Sequence, residues 1–298
     1  MDRPPTGDPS YDWYYVLTSG SMAEPNHPDS FDAVRRAGAF LLLAILGWLL
    51  LPSVWRANDT IVRSALTTLG AGLIANLATA RLFEKGRFSD FGLGWDSRSG
   101  KQIAGGLVLG LGSVGVLTLA ALGFGLATIE RVGADSAWPF PVLAILLALG
   151  ALGEEMMFRG YGFQILARLW SAPGTIVATG VLFGVAHLLT NDGINPVGTV
   201  NTAIWGALLG YACWRTQGLW LPVGLHFGWN LGLVAIGVPL SGLTIKATGF
   251  ALQWRAGELF SGGQYGPENG LLTTVCGGMV FLFLRGPFSN NARAGGDS

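Results

Sequence analysis

From residue 37 onward the chain is divided into long stretches that contain no Asp, Glu, Lys or Arg: 37–55, 64–80, 102–129, 136–153, 169–191, 193–214, 216–245 and 269–284. No other feature restricts the fold as strongly. A bilayer hydrocarbon core of about 30 Å is crossed by about 20 apolar residues in helical form, within a range of about 17–25. Most of the stretches meet that length, the last is short, and the two longest must include some loop. In lipid every backbone amide has to be satisfied inside its own segment, so helices are the expected form. The alternation at period 2 that a barrel strand needs is missing. The pattern predicts an all-α fold: a polytopic helical membrane protein with about eight transmembrane helices.

The same reading divides the chain. Residues 1–36, which hold Pro4, Pro5, Pro9, Pro25 and Pro28, are expected to be a polar, poorly ordered tail. Residues 37–130 would carry spans one to three and residues 136–245 spans four to seven. Residues 246–298 would supply a loop, the last span and a short C-terminal tail. Only 12% of the residues are charged, and Lys+Arg equals Asp+Glu at 18 each. The charged share is about half the ordinary globular value of roughly 25%. Disorder needs a polar, highly charged chain, and nucleic-acid binding needs a basic surplus, so no nucleic-acid partner is expected. Membrane lipid is the expected surroundings, and nothing in the pattern indicates an oligomeric state. Cys213 and Cys276 lie in apolar stretches and read as small buried hydrophobes.

Orientation follows the Lys/Arg bias of short loops. With the N-terminus inside, only Arg56, Arg63, Arg131, Lys246 and Arg255 of the 18 basic residues fall on the outer side. Both termini are therefore expected in the cytoplasm. Glycines four apart, Gly106/Gly110, Gly180/Gly184, Gly206/Gly210 and Gly224/Gly228, suit close helix packing in lipid. Asn76 and Asn201 read as interhelical hydrogen-bonding residues.

Three places break the apolar pattern. Glu154 and Glu155 stand at the end of an uncharged run and are followed by Arg159. A charge deep in a span costs at least about 2.5–3.5 kcal/mol. Glu155 and Arg159, four apart, share a helix face and can pair, while Glu154 points about 100° away, because successive helical residues turn by that angle. Phe183 with His187, and His226 with Asn230, are two further pairs at the same spacing in separate apolar stretches. A carboxylate, two imidazoles and an amide suit peptide hydrolysis. The carboxylate takes a proton from water, and an amide donor to the oxyanion is worth roughly 2.7–4 kcal/mol. Glu154, His187 and His226 also form a plausible zinc set with an open fourth position, although the spacing of two His four apart around a Glu is lacking. The cofactor is therefore either none or one Zn2+. Two other functions fit the same residues: a transporter or channel with an intramembrane Glu/His relay, and a non-catalytic immunity or scaffold protein.

Glu-Glu-x-x-x-Arg, Phe-x-x-x-His and His-x-x-x-Asn, in that order on separate spans, resemble the CPBP intramembrane proteases. That family includes type II CAAX prenyl endopeptidases and bacteriocin-processing or self-immunity proteins. The resemblance covers about residues 139–239. It implies an intramembrane endopeptidase, of glutamate or metallo type, acting on a lipidated (CAAX-like) or other membrane-associated protein or a leader peptide. Glu154 would activate the water with help from His187. His226 and Asn230 would form the oxyanion hole, and Glu155 with Arg159 would hold the site together. In the zinc version Glu154, His187 and His226 would be the ligands. We expect a multi-pass protein of a bacterial cytoplasmic membrane. For the site to assemble, the span carrying His187 must begin late, near Thr175, after an interfacial elbow helix over 160–170. The site is then expected in the inner half of the membrane, reached from the cytoplasm.

Overall fold

A computed structural model describes residues 30–55, 58–134 and 136–286. The expected N-terminal tail lies outside the described residues up to residue 29. Residues 30–36 instead form the first turns of α1 (Ser30–Trp55), where Asp32 pairs with both Arg35 and Arg36 at 2.5 Å.

Each of the eight charge-free stretches holds one long helix. After α1 come α2 (Thr60–Phe83), α3 (Ser99–Gly123), α4 (Phe140–Arg159), the short α5 (Tyr161–Leu169), α6 (Ala172–Thr190), α7 (Pro196–Thr216) and α8 (Trp220–Ala235), with α9 (Glu258–Ser261) and α10 (Leu271–Arg285) closing the chain. The starts are encoded locally. Asp59 caps α2 by accepting from the Val62 N–H at 3.0 Å, and Ser171 and Asn195 cap α6 and α7 in the same way. Side-chain oxygens of this kind satisfy the orphan donors of a first turn. Among the described residues, five segments are long and apolar enough to cross a membrane: α1, α2, α3, the stretch Phe140–Leu169, and α6. Helices α8 and α10, at 16 and 15 residues, are shorter.

Among the described residues, a two-stranded ribbon departs from the helical pattern. Strands β1 (Ala127–Arg131) and β2 (Phe250–Trp254) pair antiparallel, with Ala127 opposite Trp254 and Arg131 opposite Phe250. This ribbon ties the chain after α3 to the segment before α10.

The long helices alternate in direction, so the molecule has two ends. One end holds the start of α1, the 84–98 and 217–219 connections and the elbow α5. It is knitted together by Arg36 on Glu84 at 2.9 Å and by the Leu219 N–H donating to Gly92 O at 2.8 Å. The opposite end holds the start of α2, the ribbon, the 191–195 connection and the 236–270 segment. There Trp138 Nε1 donates to Asp59 at 3.1 Å and Asn191 donates to Tyr265 Oη at 3.3 Å.

Two polar clasps fix the positions that matter for the site. Asn76 on α2 donates to Gly72 O and Met156 O and accepts from the Tyr161 N–H at 2.7 Å. It bridges the break between α4 and α5. Asn201 on α7 donates to Glu268 O and Gly270 O, both at 2.9 Å, and accepts from Thr274 at 2.6 Å. Both asparagines are the interhelical links that the sequence suggested. The elbow is also present, and α6 starts at Ala172, slightly earlier than anticipated.

The tightest seam is α3 against α8. Gly106 and Gly110 face Gly224 and Gly228, and a methyl group at any of the four would run into the partner's backbone: Leu221 O, Leu225 O, Ile103 O or Leu107 O. In lipid such small-residue contacts replace the hydrophobic drive that water provides. Gly180 and Gly184 bring α6 onto Ala203 and Ala207 of α7 in the same manner, and Gly206 meets Phe183 and Gly180. Gly210 has room to spare: a methyl group there would stand 3.5 Å from Phe163, an ordinary contact.

Candidate active site

Helix α4 presents Glu154 and Glu155 in different directions, as their 100° offset requires. Glu155 turns inward and is fully buried with Arg159. The two pair at 3.3 Å, and Arg159 Nη2 also donates to Gly206 O at 2.6 Å. The guanidinium lies over the Phe183 ring at 4.7 Å. Removing one member of a buried pair leaves the other charge uncompensated, at about 3–5 kcal/mol. Glu154 faces a cavity instead, and its Oε2 is buried with no hydrogen-bond partner among the described residues.

His226, one turn and a half into α8, joins the two carboxylates. Its Nδ1 lies 2.8 Å from Glu155 Oε1 and its Nε2 lies 3.8 Å from Glu154 Oε2. Glu155 is therefore shared between a cation and an imidazole, a link the sequence did not reveal. A carboxylate engaged by Arg159 accepts rather than donates, so Nδ1 carries the proton and Nε2 is the nitrogen turned to Glu154. Gly224 and Gly228 lie two residues to either side, so the glycine face of α8 packs on α3 while His226 and Asn230 sit on the other side.

His187 lies in the last turns of α6 and also lines the cavity. Its Nδ1 is 3.0 Å from Phe183 O. A carbonyl only accepts, so Nδ1 holds the proton and Nε2 offers a lone pair. The Phe183 ring lies tilted against His187 at 4.4 Å between centroids and meets the His226 ring edge-on at 6.1 Å. Phe183 thus spaces the two imidazoles. Asn230 lines the same cavity, and its amide has no hydrogen-bond partner among the described residues.

All six sequence-derived residues therefore fall in one neighbourhood. Glu154, His187, His226 and Asn230 border a cavity of about 810 Å3, while Glu155 and Arg159 lie behind it. The zinc arrangement is less well served. Among the described residues no three His, Cys, Asp or Glu side chains are grouped so as to hold a metal ion. Glu154, His187 and His226 do not converge as a ligand set, so the side chains present do not fit a resident zinc.

The sequence reading missed Glu268, which also lines the cavity. It accepts from the Ser241 N–H at 2.6 Å, from Ser241 Oγ at 3.1 Å and from Trp229 Nε1 at 3.4 Å. Burial pushes its carboxyl above the usual carboxylate range, against the opposing pull of the Ser241 N–H. Ser241 holds a left-handed backbone, with φ 47°, in the turn that aims this N–H. Such a conformation costs of order 1–3 kcal/mol in a residue other than glycine. A lone acidic residue in a loop gives no signal of this role. The one hint was its position directly before the last charge-free stretch.

The cavity is lined by the second half of α1, the start of α2, the later halves of α4 and α6, the middle of α7, the His226–Asn230 stretch of α8 and the 240–245 turn.

No curated protein matches the chain. Residues 136–232 match the family model of Rce1-like type II CAAX prenyl endopeptidases. The matched segment runs from the loop before α4 into α8, so all six motif residues lie within it. The match spans 97 residues, about a third of the chain, and supports the resemblance of this segment to the CPBP intramembrane proteases.

Proposed function

We propose that the protein is an intramembrane endopeptidase in which Glu154 activates the attacking water. The observation that carries this reading is the His226 ring held between two carboxylates at the head of a largely apolar cavity, at 2.8 Å from Glu155 and 3.8 Å from Glu154. A carboxylate oxygen buried without a donor is costly, and Glu154 Oε2 is such an atom. A water bound there gives a proton to Glu154 and attacks the carbonyl carbon of the scissile peptide. The resulting oxyanion is stabilised by the Asn230 amide and by His226 Nε2–H. For Nε2 to donate, the ring must be an imidazolium, with Nδ1–H given to Glu155. Collapse of the tetrahedral intermediate breaks the C–N bond, and Glu154 returns its proton to the leaving nitrogen. His187, with its Nε2 lone pair free, assists the water. Arg159 holds Glu155 in place through their 3.3 Å pair, which makes it a positioning residue.

The substrate is a membrane-associated polypeptide, since the cavity walls include Leu41, Ile45, Trp48 and Leu49 of α1 and Leu182 and Leu189 of α6, apolar side chains that are also exposed to lipid. The test is cleavage of a peptide library by the purified protein, wild type against Glu154→Gln, with and without chelator. Wild-type cleavage by Glu154→Gln would sink the mechanism. Loss of wild-type activity on chelation would replace it with the metal-dependent version.

A further inference from the structure

We propose that Glu268 is a specificity-determining residue: its carboxylate forms a subsite beside the reactive turn of α8 that takes a basic side chain, Lys or Arg, of the polypeptide near its scissile bond. The scissile-bond part rests on the proteolytic reading, whereas the subsite stands on geometry. Glu268 belongs to the short turn Pro267–Asn269. Its backbone is fixed from α7, where Asn201 donates to Glu268 O at 2.9 Å. Its side chain is fixed through Oε2, which accepts from the Ser241 N–H at 2.6 Å and from Ser241 Oγ at 3.1 Å. On the other oxygen, Oε1, Trp229 Nε1 makes a long contact at 3.4 Å. Trp229 directly precedes Asn230 on α8 and follows His226 by three residues. Its ring is backed by Trp205 at 4.3 Å between centroids. The carboxylate is therefore a rigid part of the cavity wall, next to the two residues assigned to the oxyanion.

What this carboxylate lacks is a cation. An ionised carboxylate offers about four lone-pair sites. Ser241 fills two on Oε2, and Oε1 has only the long Trp229 contact among the described residues. Glu268 is partly exposed and borders the cavity, so Oε1 keeps acceptor capacity there. Two carboxylates, Glu154 and Glu268, line that cavity, while its one Lys or Arg among the described residues is the exposed Arg63. Burial holds the Glu268 carboxyl above the usual range, and an opposite charge within about 4–6 Å favours the ionised form. A basic side chain would supply that charge with a charge-assisted hydrogen bond, and its methylene stem would lie along the apolar wall. An acidic side chain would meet two carboxylates instead.

The experiment uses the full chain in detergent. The probe is an apolar peptide, N-acetylated and C-amidated so that only a side chain carries charge, with one residue set to norleucine, Lys, Arg or Glu and moved one position at a time. Binding is measured with Glu154→Gln, which removes the rival carboxylate, and with Glu154→Gln/Glu268→Gln. Cleavage is measured with the wild type and Glu268→Gln. At one position the Lys and Arg peptides are expected to bind Glu154→Gln about tenfold or more tighter than the norleucine peptide, the weight of a hydrogen bond to a charged group, with the Glu peptide weakest. That ratio is expected to fall to about one without Glu268, and the kcat/KM ratio is expected to follow it. Binding without charge preference overturns the proposal. So does a ratio that survives Glu268→Gln, including equal weakening of all peptides, which is what a purely structural residue would give. If the double variant does not fold, Glu268→Asp replaces Glu268→Gln: the ratio is expected to shrink as the shorter side chain withdraws, and an unchanged ratio overturns the proposal. Lys-selective binding with no cleavage by the wild type would remove the protease reading and leave the subsite standing, whereas cleavage without charge preference would do the opposite.

Discussion

Helix α8 has two faces that differ in kind. One lies on α3 through four glycines whose Cα atoms approach the partner backbone so closely that no side chain fits. The other carries His226 and Asn230 into a cavity of about 810 Å3 whose facing helices, α4 and α6, are held apart by aromatic rings rather than locked by small residues. The seam has van der Waals contact and no polar function. The cavity face carries the polar side chains His226 and Asn230 and looks onto Glu154 of α4, whose Oε2 accepts no hydrogen bond among the described residues. Rigidity and chemistry are thus assigned to opposite sides of one helix. A site must be held within a fraction of an ångström to work, and here the glycine seam supplies that hold.

The contrast breaks if substitutions on one face act like substitutions on the other. The largest effects are expected around the glutamates. Glu154→Gln should lower the cleavage rate by about 10²–10⁴-fold, the usual weight of a general base, with the melting temperature in detergent unchanged. Arg159→Met should instead destabilise the fold by about 3–5 kcal/mol, because Glu155 is left buried beside His226 without its cation; a melt of the purified protein reads this directly. Asn230→Ala comes next, with a kcat loss worth about 2.7–4 kcal/mol and little change in KM or stability. On the seam, Gly110→Val should cost about 1–3 kcal/mol or more of stability through overpacking, and the protein that does fold should keep its KM.

The smallest effect concerns Glu268, in the loop beside the cavity. Its carboxyl titrates above the ordinary range because burial disfavours the charged form. Between the unfolded and the folded value the folded state holds the extra proton. Its contribution to stability is therefore full below the unfolded value and is lost as pH rises through the folded one. Glu268→Gln should flatten the fall of melting temperature with rising pH in that window. An unchanged slope would show that the titration lies elsewhere.

Much of this contrast could be read in the sequence. The eight charge-free stretches each contain one helix, because in lipid both the length and the polarity of a segment are set by the solvent rather than by its neighbours. The glycines four apart were visible in the spacing, though not which pairs face each other, and the elbow at 160–170 followed from requiring Glu154, His187 and His226 to meet. The bond between Glu155 and His226 did not, since it joins residues 71 apart in the chain and depends on how α4 crosses α8. Glu268 was invisible for a similar reason: a single acidic residue in a loop is ordinarily solvated, and only the Ser241 turn folded over it makes it otherwise. The β1–β2 ribbon was missed because its two short strands lack clear alternation and lie far apart in the chain.

The pairing of α3 with α8 also sets an order of assembly. Gly106 and Gly110 enter the membrane early, yet the groove that receives them is not made until α8 has been synthesised, after the whole stretch from β1 to α7. The strand β1 waits longer still for β2. Contacts so distant along the chain form late, since the intervening segment must first be ordered. The helices carrying the glutamates and His187 are therefore laid down around a gap, and the arrival of α8 both fills the groove on α3 and brings His226 to Glu155. A nascent chain stopped before α8 would have neither its seam nor its reactive centre, so the protein would acquire hydrolytic capacity only after most of its helices are already in place.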